Sequence, residues 1–348
     1  MTRISVVCRA AGLIILALAV TVPAVALDKV GTTSMQVLKI AMGVRGVGMG
    51  SAMAGVVNDA EAVWWNPGAL TEVEGTEFMI GQVNMPADVQ LNSIAAAFRW
   101  GDYQTVSVHA INLVTDDMPV RTWEQPQGTG ENFNASDLVI GLGYARKLTD
   151  RFSLGGNVRF LHSGLEEETY DGVAVDLGTL YKTGLRSLRL GMAIQNLGPE
   201  VKYSGEFRDY RSEVESQDSV ALYEEFEGAS LPTIFRLGIG FDFFEMLNIA
   251  HDENHALAIA AEMNHPNDNR ERLNLGTEYG WRDRIFLRAG GKFGYDEESF
   301  SLGFGLLIPL SGNTRFRFDY AYSYWGQLTE ATDTFWGQPH RFAVGFAW

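Results

Sequence analysis

The sequence predicts an all-β chain: a transmembrane antiparallel β-barrel of about 14 strands, plugged by a short N-terminal helical and loop segment. Three observations carry this. Stretches of strand length with period-two alternation follow one another from residue 76 to the end. Tight turns alternate with long polar loops between them. The mean hydropathy is only −0.05 although 46% of residues are hydrophobic and 38 are glycine. A barrel gives such a mean because its lipid-facing half is averaged with a polar inner half.

Residues 1–26 read as a signal peptide. Arg3 and Arg9 form a positive start, Ala10 to Val22 an apolar run, and Ala24-Val25-Ala26 a cleavage site. A membrane anchor is the alternative, but the run is short and Pro23 and the cleavage site follow it directly. Cys8 is the one cysteine and lies inside this leader, so the rest offers no disulfide and no thiolate. The net charge is −16, and losing Arg3 and Arg9 makes it more negative. That excludes a basic nucleic-acid surface and assigns the acidic excess to loops and lumen.

The remainder divides into an N-terminal periplasmic and plug segment, 27–75, and the barrel, 76–348. Residues 27–42 are expected in the periplasm. Residues 43–70 are rich in Gly and Ala, and Gly43, Gly46, Gly48, Gly50 and Gly55 allow a close approach to another surface. Asn58 or Asp59 is the expected helix N-cap, Glu61 suits the first turn, and Ala60 to Trp65 forms the helix. Asn66 precedes Pro67 and should stop it. The segment is a structural cap or a gate on the lumen. In the gate reading Asn58, Asp59, Trp64, Trp65, Asn66 and Pro67 are its residues; otherwise they pack the lumen inertly.

Arg45, Gly48-Met49-Gly50, Ala52, Ala54, Asn58-Asp59-Ala60, Ala62, Trp65, Asn66-Pro67 and Leu70 resemble the N-terminal signature of the PorV/PorQ family. That family is similar to the FadL-type long-chain fatty-acid channels of the bacterial outer membrane. Gly68-Ala69 departs from the usual Ala-Gly. The resemblance implies passage of hydrophobic compounds or, as the alternative, a non-enzymatic part in a type IX-like secretion and surface-attachment system.

Strands are expected near 76–84, 89–100, 103–114, 135–147, 151–162, 169–182, 186–196, 232–243, 255–264, 271–280, 283–293, 298–309, 313–324 and 339–348. Alternation is plainest where Phe316, Phe318, Tyr320 and Tyr322 oppose Arg315, Arg317 and Asp319, and where Leu154, Val158 and Phe160 oppose Asn157 and Arg159. A soluble sandwich would share this pattern. The tight turns belong to the periplasm and the loops 115–134, 197–231 and 325–338 to the outside. The connection 244–254 is long for a periplasmic turn. The chain ends in Phe346-Ala347-Trp348, which resembles the signal read by the barrel insertion machinery; an ordinary strand end is the alternative.

Chemistry-bearing motifs are sparse. His251 and His255 are four apart, but Glu253 is out of place for a zinc helix and the segment reads as a turn. The glycines at 46–50 lack a strand–turn–helix unit, so they are packing residues and not a nucleotide loop. No nucleophile elbow is present. Glu166-Glu167-Glu168 and the acidic loop 205–227 are solvated loops before they are cation sites. The expectation is therefore no enzyme, no metal and no cofactor. The expected partners are outer-membrane lipid and lipopolysaccharide, the insertion machinery, and a hydrophobic small molecule or a secreted protein.

Overall fold

Strands close edge to edge in the computed structural model, which describes residues 30–86, 89–121, 125–166, 168–208, 223–250, 252, 254–326 and 338–348. The segment expected as a signal peptide, with Ala24 and Ala26, lies outside them. The strands are β1 (Thr76–Asn84), β2 (Gln90–Trp100), β3 (Gln104–Val114), β4 (Met118–Pro119), β5 (Asn132–Phe133), β6 (Ala135–Lys147), β7 (Phe152–Leu165), β8 (Glu168–Lys182) and β9 (Arg189–Leu197). There follow β10 (Glu206–Arg208), β11 (Tyr223–Glu225), β12 (Ile234–Asp242), β13 (His255–Pro266), β14 (Arg272–Trp281), β15 (Ile285–Phe293), β16 (Phe300–Pro309), β17 (Arg315–Ser323) and β18 (His340–Ala347).

β4–β5 and β10–β11 form two small hairpins in segments expected as plain loops. The other strands make one antiparallel barrel in sequence order, closed where β1 pairs β18 from Glu77↔Ala347 to Asn84↔His340. Every expected strand is present. The largest shifts are β7, which runs on to Leu165, and β9, which starts only at Arg189.

The faces of the strands decide between barrel and sandwich. On β7, Leu154, Val158 and Phe160 are 43%, 60% and 46% exposed, while Asn157 and Arg159 are buried. On β6, Ile140 and Leu142 face out and Val139 and Ala145 face in. A soluble sandwich would bury the apolar face; here it is turned outward, as an apolar surrounding medium requires. Leu142→Arg, at mid-strand on the outer face, is therefore expected to cost about 2–4 kcal/mol. Urea unfolding from lipid vesicles checks this, and an unchanged midpoint would speak against a lipid-facing position.

The long connection after β12 is a helical turn, Phe243–Leu247. Asp242 caps it by accepting the Glu245 N–H at 2.9 Å, and the Arg186 guanidinium donates to the Met246 carbonyl. That accounts for its length.

The interior core comes from the N-terminal segment. Met42, Val44, Val47, Met49, Met53, Val57, Val63 and Trp65 are buried inside the barrel. Two details differ from expectation. The helix at the end of the segment is only Ala62–Trp65, with Asp59 Oδ1 accepting the Glu61 N–H at 3.0 Å, and Pro67–Glu72 continues as a 3₁₀ turn. Val44–Gly48 is also helical. Two of its five residues are glycine, each costing about 1 kcal/mol in a helix, so propensity argued against it.

Residues 33–39 also depart from expectation. They sit at the long-loop end, not with the tight turns assigned to the periplasm. Ser34 N–H donates to the Ser230 carbonyl at 3.1 Å, and Thr33 and Lys39 both bind Asp268 in the β13–β14 connection. The chain thus enters the lumen from the long-loop end, passes down it as the plug, and joins β1 beside the tight turns.

Candidate functional site

The lumen is the site, and the plug meets its wall backbone to backbone. A Cβ on Gly290 would collide with the Gly50 nitrogen, one on Gly276 with the Met49 carbonyl, and one on Gly191 with the Ala54 carbonyl. Gly155 meets the Pro67 carbonyl in the same way. These wall glycines lie on β15, β14, β9 and β7, so close approach is required around much of the circumference. The plug glycines are packing residues, as expected: a Cβ on Gly46 would strike the Trp65 ring.

A closed ring of charges ties plug to wall. Arg45 Nε and Nη2 donate to Glu278 at 2.9 and 2.7 Å, and Arg45 Nη1 donates to Asp59 at 2.8 Å. Arg288 bridges Glu278 at 2.5 Å and Asp319 at 2.6 Å. Arg317 pairs with Asp319 and donates to Asp59 at 2.7 Å, which closes the ring. Three guanidiniums face three carboxylates, so these buried charges are neutralised locally. Burial would raise the Asp59 carboxyl, but Arg317 and Arg45 outweigh it and hold it below the usual range. Glu61 stands outside the ring and accepts the N–H groups of Arg45 and Gly46, each at 2.9 Å. Burial, then the charge of Asp59, pushes its carboxyl up to about 7.

Further wall side chains hold plug backbone. Glu262 accepts the Met53 and Ala54 N–H groups at 2.9 and 2.7 Å. Asn157 donates to the Val63 carbonyl at 2.8 Å, and Gln195 donates to the Trp64 carbonyl at 2.8 Å.

The expected gate residues are all brought together here. Asn58 accepts from Arg45 at 2.6 Å. Trp65 is 1% exposed, with the Arg236 guanidinium 5.2 Å above its ring. Trp64 is buried beside it. Asn66 Nδ2 donates to the Ala54 and Thr179 carbonyls at 2.8 and 2.9 Å, while its Oδ1 accepts the Gly68 N–H. Pro67 opens the 3₁₀ turn. Sequence reasoning missed Glu262, Glu278 and Arg288. Charged residues at inward strand positions were the available signal, but their partners lie far away in sequence.

Above the plug the lumen has two unlike halves. Val83, Leu91, Ile111, Val139 and Leu161 make an apolar wall on β1, β2, β3, β6 and β7, against which Met35, Val37 and Met42 pack. The other half, from β13 round to β18, carries Asn264, Lys292, Ser301, Ser323 and Arg341, all buried, with Arg341 directly beside Val83 where β18 meets β1. Lys292 pairs with Glu298. Arg341 donates to Ser323 at 3.0 Å and lies 6.0 Å from the Trp325 ring, and the Glu298 carboxylate acts on it as well as on Lys292. Below the plug, a cavity of about 570 Å³ opens at the tight-turn end, bordered by Asp59, Glu77, Arg189, Asp283 and Arg315. At the other end, the rings of Tyr170 and Tyr203 meet at 6.1 Å, tilted by 49°, beside a second cavity. Of the two histidines considered as a metal pair, His255 lies 2.5 Å from the Tyr279 hydroxyl and His251 is outside the described residues.

These features define a class: a closed antiparallel barrel whose lumen is filled by its own N-terminal segment. Solved structures are similar to it in fold. The toluene transporter TbuX of Ralstonia pickettii superposes with a TM-score of 0.55 at 14% identity, over 88% of this chain and 97% of that one. The toluene transporter TodX of Pseudomonas putida gives 0.57 at 11%, over 88% and 98%. A Pseudomonas aeruginosa FadL homologue gives 0.54 at 11%, over 88% and 98%. At such identities the likeness is one of fold. No family model matches the chain, and no curated protein matches it by sequence.

Proposed function

We propose that the protein is a bacterial outer-membrane channel for the passive passage of hydrophobic compounds. One observation carries the reading: the chain fills an apolar upper lumen with its own residues 35–42, held at the rim by few polar contacts. A space that accepts Met35, Val37 and Met42 accepts a solute of the same character. The structural neighbours that transport toluene support it. The Arg341 side of the same lumen favours a solute with one anionic end.

The division of labour differs from a gate at the tryptophans. Residues 43–73 carry the charge ring and the glycine contacts and stay in place, with Asn58, Asp59, Trp64, Trp65, Asn66 and Pro67 as anchors. Residues 33–42 move. A solute displaces them, passes the plug, and reaches the polar cavity below. No catalytic step belongs to this reading. Phe346, on the outer face of the last strand, and Trp348, exposed just past its end, remain the proposed assembly signal. The narrower PorV/PorQ resemblance, with its secretion role and secreted-protein partner, rests on the signature at 45–70 alone.

The test is uptake of a labelled fatty acid and of its methyl ester into vesicles. Asp268→Ala, which removes the acceptor shared by Lys39 and Thr33, is expected to speed entry of both by several-fold over the parent chain. No uptake by either protein would overturn the channel reading.

A further inference from the structure

The outer belt of the barrel is broken in one place. On every barrel strand from β6 to β17, the outward side chains seven to nine residues up from the tight-turn end are apolar or aromatic, Phe160, Leu197, Met263 and Phe293 among them. On β18 that position is His340, which is buried and meets the Tyr320 hydroxyl at 2.8 Å. β1, β2 and β3 differ. They carry Asn84, Asn92 and Asn112 at this height, and Gln82 one outward position lower, all exposed. The antiparallel register sets Gln82, Asn92 and Asn112 side by side, and Asn84 beside exposed Gln90. These amides form one patch across three adjacent strands.

Such a height lies within the about 9–11 residues that a tilted strand needs to cross the hydrocarbon. Acyl chains offer an amide no hydrogen bond, and an amide left unpaired among them is costly. Inside the patch Gln82 Nε2 donates to Asn84 Oδ1 at 3.3 Å. Each amide has two donor hydrogens and an acceptor oxygen, so one such bond leaves most of them to be met from outside. No carboxylate, ammonium or guanidinium belongs to the patch, so it offers no ion pair to a lipid phosphate or to a charged protein face. A surface that donates and accepts in equal measure matches it, and the same patch on a second copy is such a surface. Ala110 and Ala96, small outward residues lower on β3 and β2, let two walls come close.

We infer that the outer face of β1–β3 is a self-association surface, through which two copies of the chain pair in the membrane about a two-fold axis. This rests on the outer-membrane reading above. In the pair, β2 of one copy faces β2 of the other, and β1 of each faces β3 of the other. The amides of each copy then supply the hydrogen bonds that the acyl chains do not. The two lumens stay separate, because every side chain of the patch points away from the plug.

Cross-linking in vesicles of phosphatidylethanolamine and phosphatidylglycerol tests it. Cys8 is the one native cysteine, so the full chain carries Cys8→Ser and one new cysteine. Ile94→Cys lies on β2 just below the patch, and Met263→Cys, on β13, lies seven strands away in either direction. A short bismaleimide is expected to join Ile94→Cys copies into dimers and to leave Met263→Cys monomeric. Adding Asn92→Leu/Asn112→Leu to the Ile94→Cys chain should weaken pairing by about tenfold, the scale of side-chain hydrogen bonds lost inside a membrane. Asn92→Gln/Asn112→Gln keeps the amides and should keep the dimer. A monomer in every case overturns the inference, as does a dimer that the leucine pair leaves unchanged or that forms equally at Met263→Cys. A monomer whose amides instead retain added lipopolysaccharide gives the patch to sugar hydroxyls and overturns it too. Flotation with the vesicles and a heat-modifiable gel band report insertion and folding separately. A parent chain that does not float removes the outer-membrane reading and the inference with it.

Discussion

Asp59→Asn is expected to release the plug while leaving the barrel closed. Asp59 takes charge from both Arg45 and Arg317, and each of the three side chains is largely shielded. The amide leaves Arg317 with Asp319 alone and Arg45 with Glu278 alone, so one positive charge in the ring is uncompensated. Breaking a buried ion pair from one side costs about 3–5 kcal/mol, because the remaining charge stays desolvated. Hydrogen exchange at the amides of residues 43–73 should accelerate accordingly, while β6–β8 amides keep their protection. The double variant Asp59→Asn/Arg317→Gln removes the stranded cation and should recover most of the loss. An Asp59→Asn plug as protected as the parent would mean that the ring does not hold it.

Gly290→Leu should act on the same plug by volume. The position faces the Gly50 backbone and the Met49 carbonyl carbon, with no flexible side chain between to give way. Overpacking costs about 1–3 kcal/mol where neighbours can shift, and backbone against backbone gives least. The plug is the softer partner, since each wall strand is hydrogen-bonded on both sides. The expected result is a displaced plug and a barrel leaky to ions in planar bilayers. A mid-strand outer-face control such as Leu287→Ala, which touches no plug residue, should conduct as little as the parent.

Much of this architecture is legible in local pattern. Leu154, Val158 and Phe160 alternate with Asn157 and Arg159 whatever surrounds them, so strand positions and their ends emerge from period alone. The direction of the faces does not. Leu142 reads the same in a sandwich core as on a lipid-facing wall, and only its exposure separates them. The plug was legible as a compact small-residue segment. Its helix at Val44–Gly48 was not, because two glycines oppose a helix and the stabilising groups, Glu61 and Trp65, act from the far end of the segment.

The sequence by itself determined the strand count, the alternation, the tight turns and the packing role of the plug glycines, all of which depend on neighbours a few positions apart. Tertiary structure alone decided the charge ring, which joins Arg45 to Glu278 across 233 positions and Arg317 to Asp59 across 258. It also decided that residues 33–39 meet Asp268 at the long-loop end. Inward charges on fourteen strands can pair in many ways, and it is barrel closure, bringing β14, β15 and β17 around one plug, that selects among them.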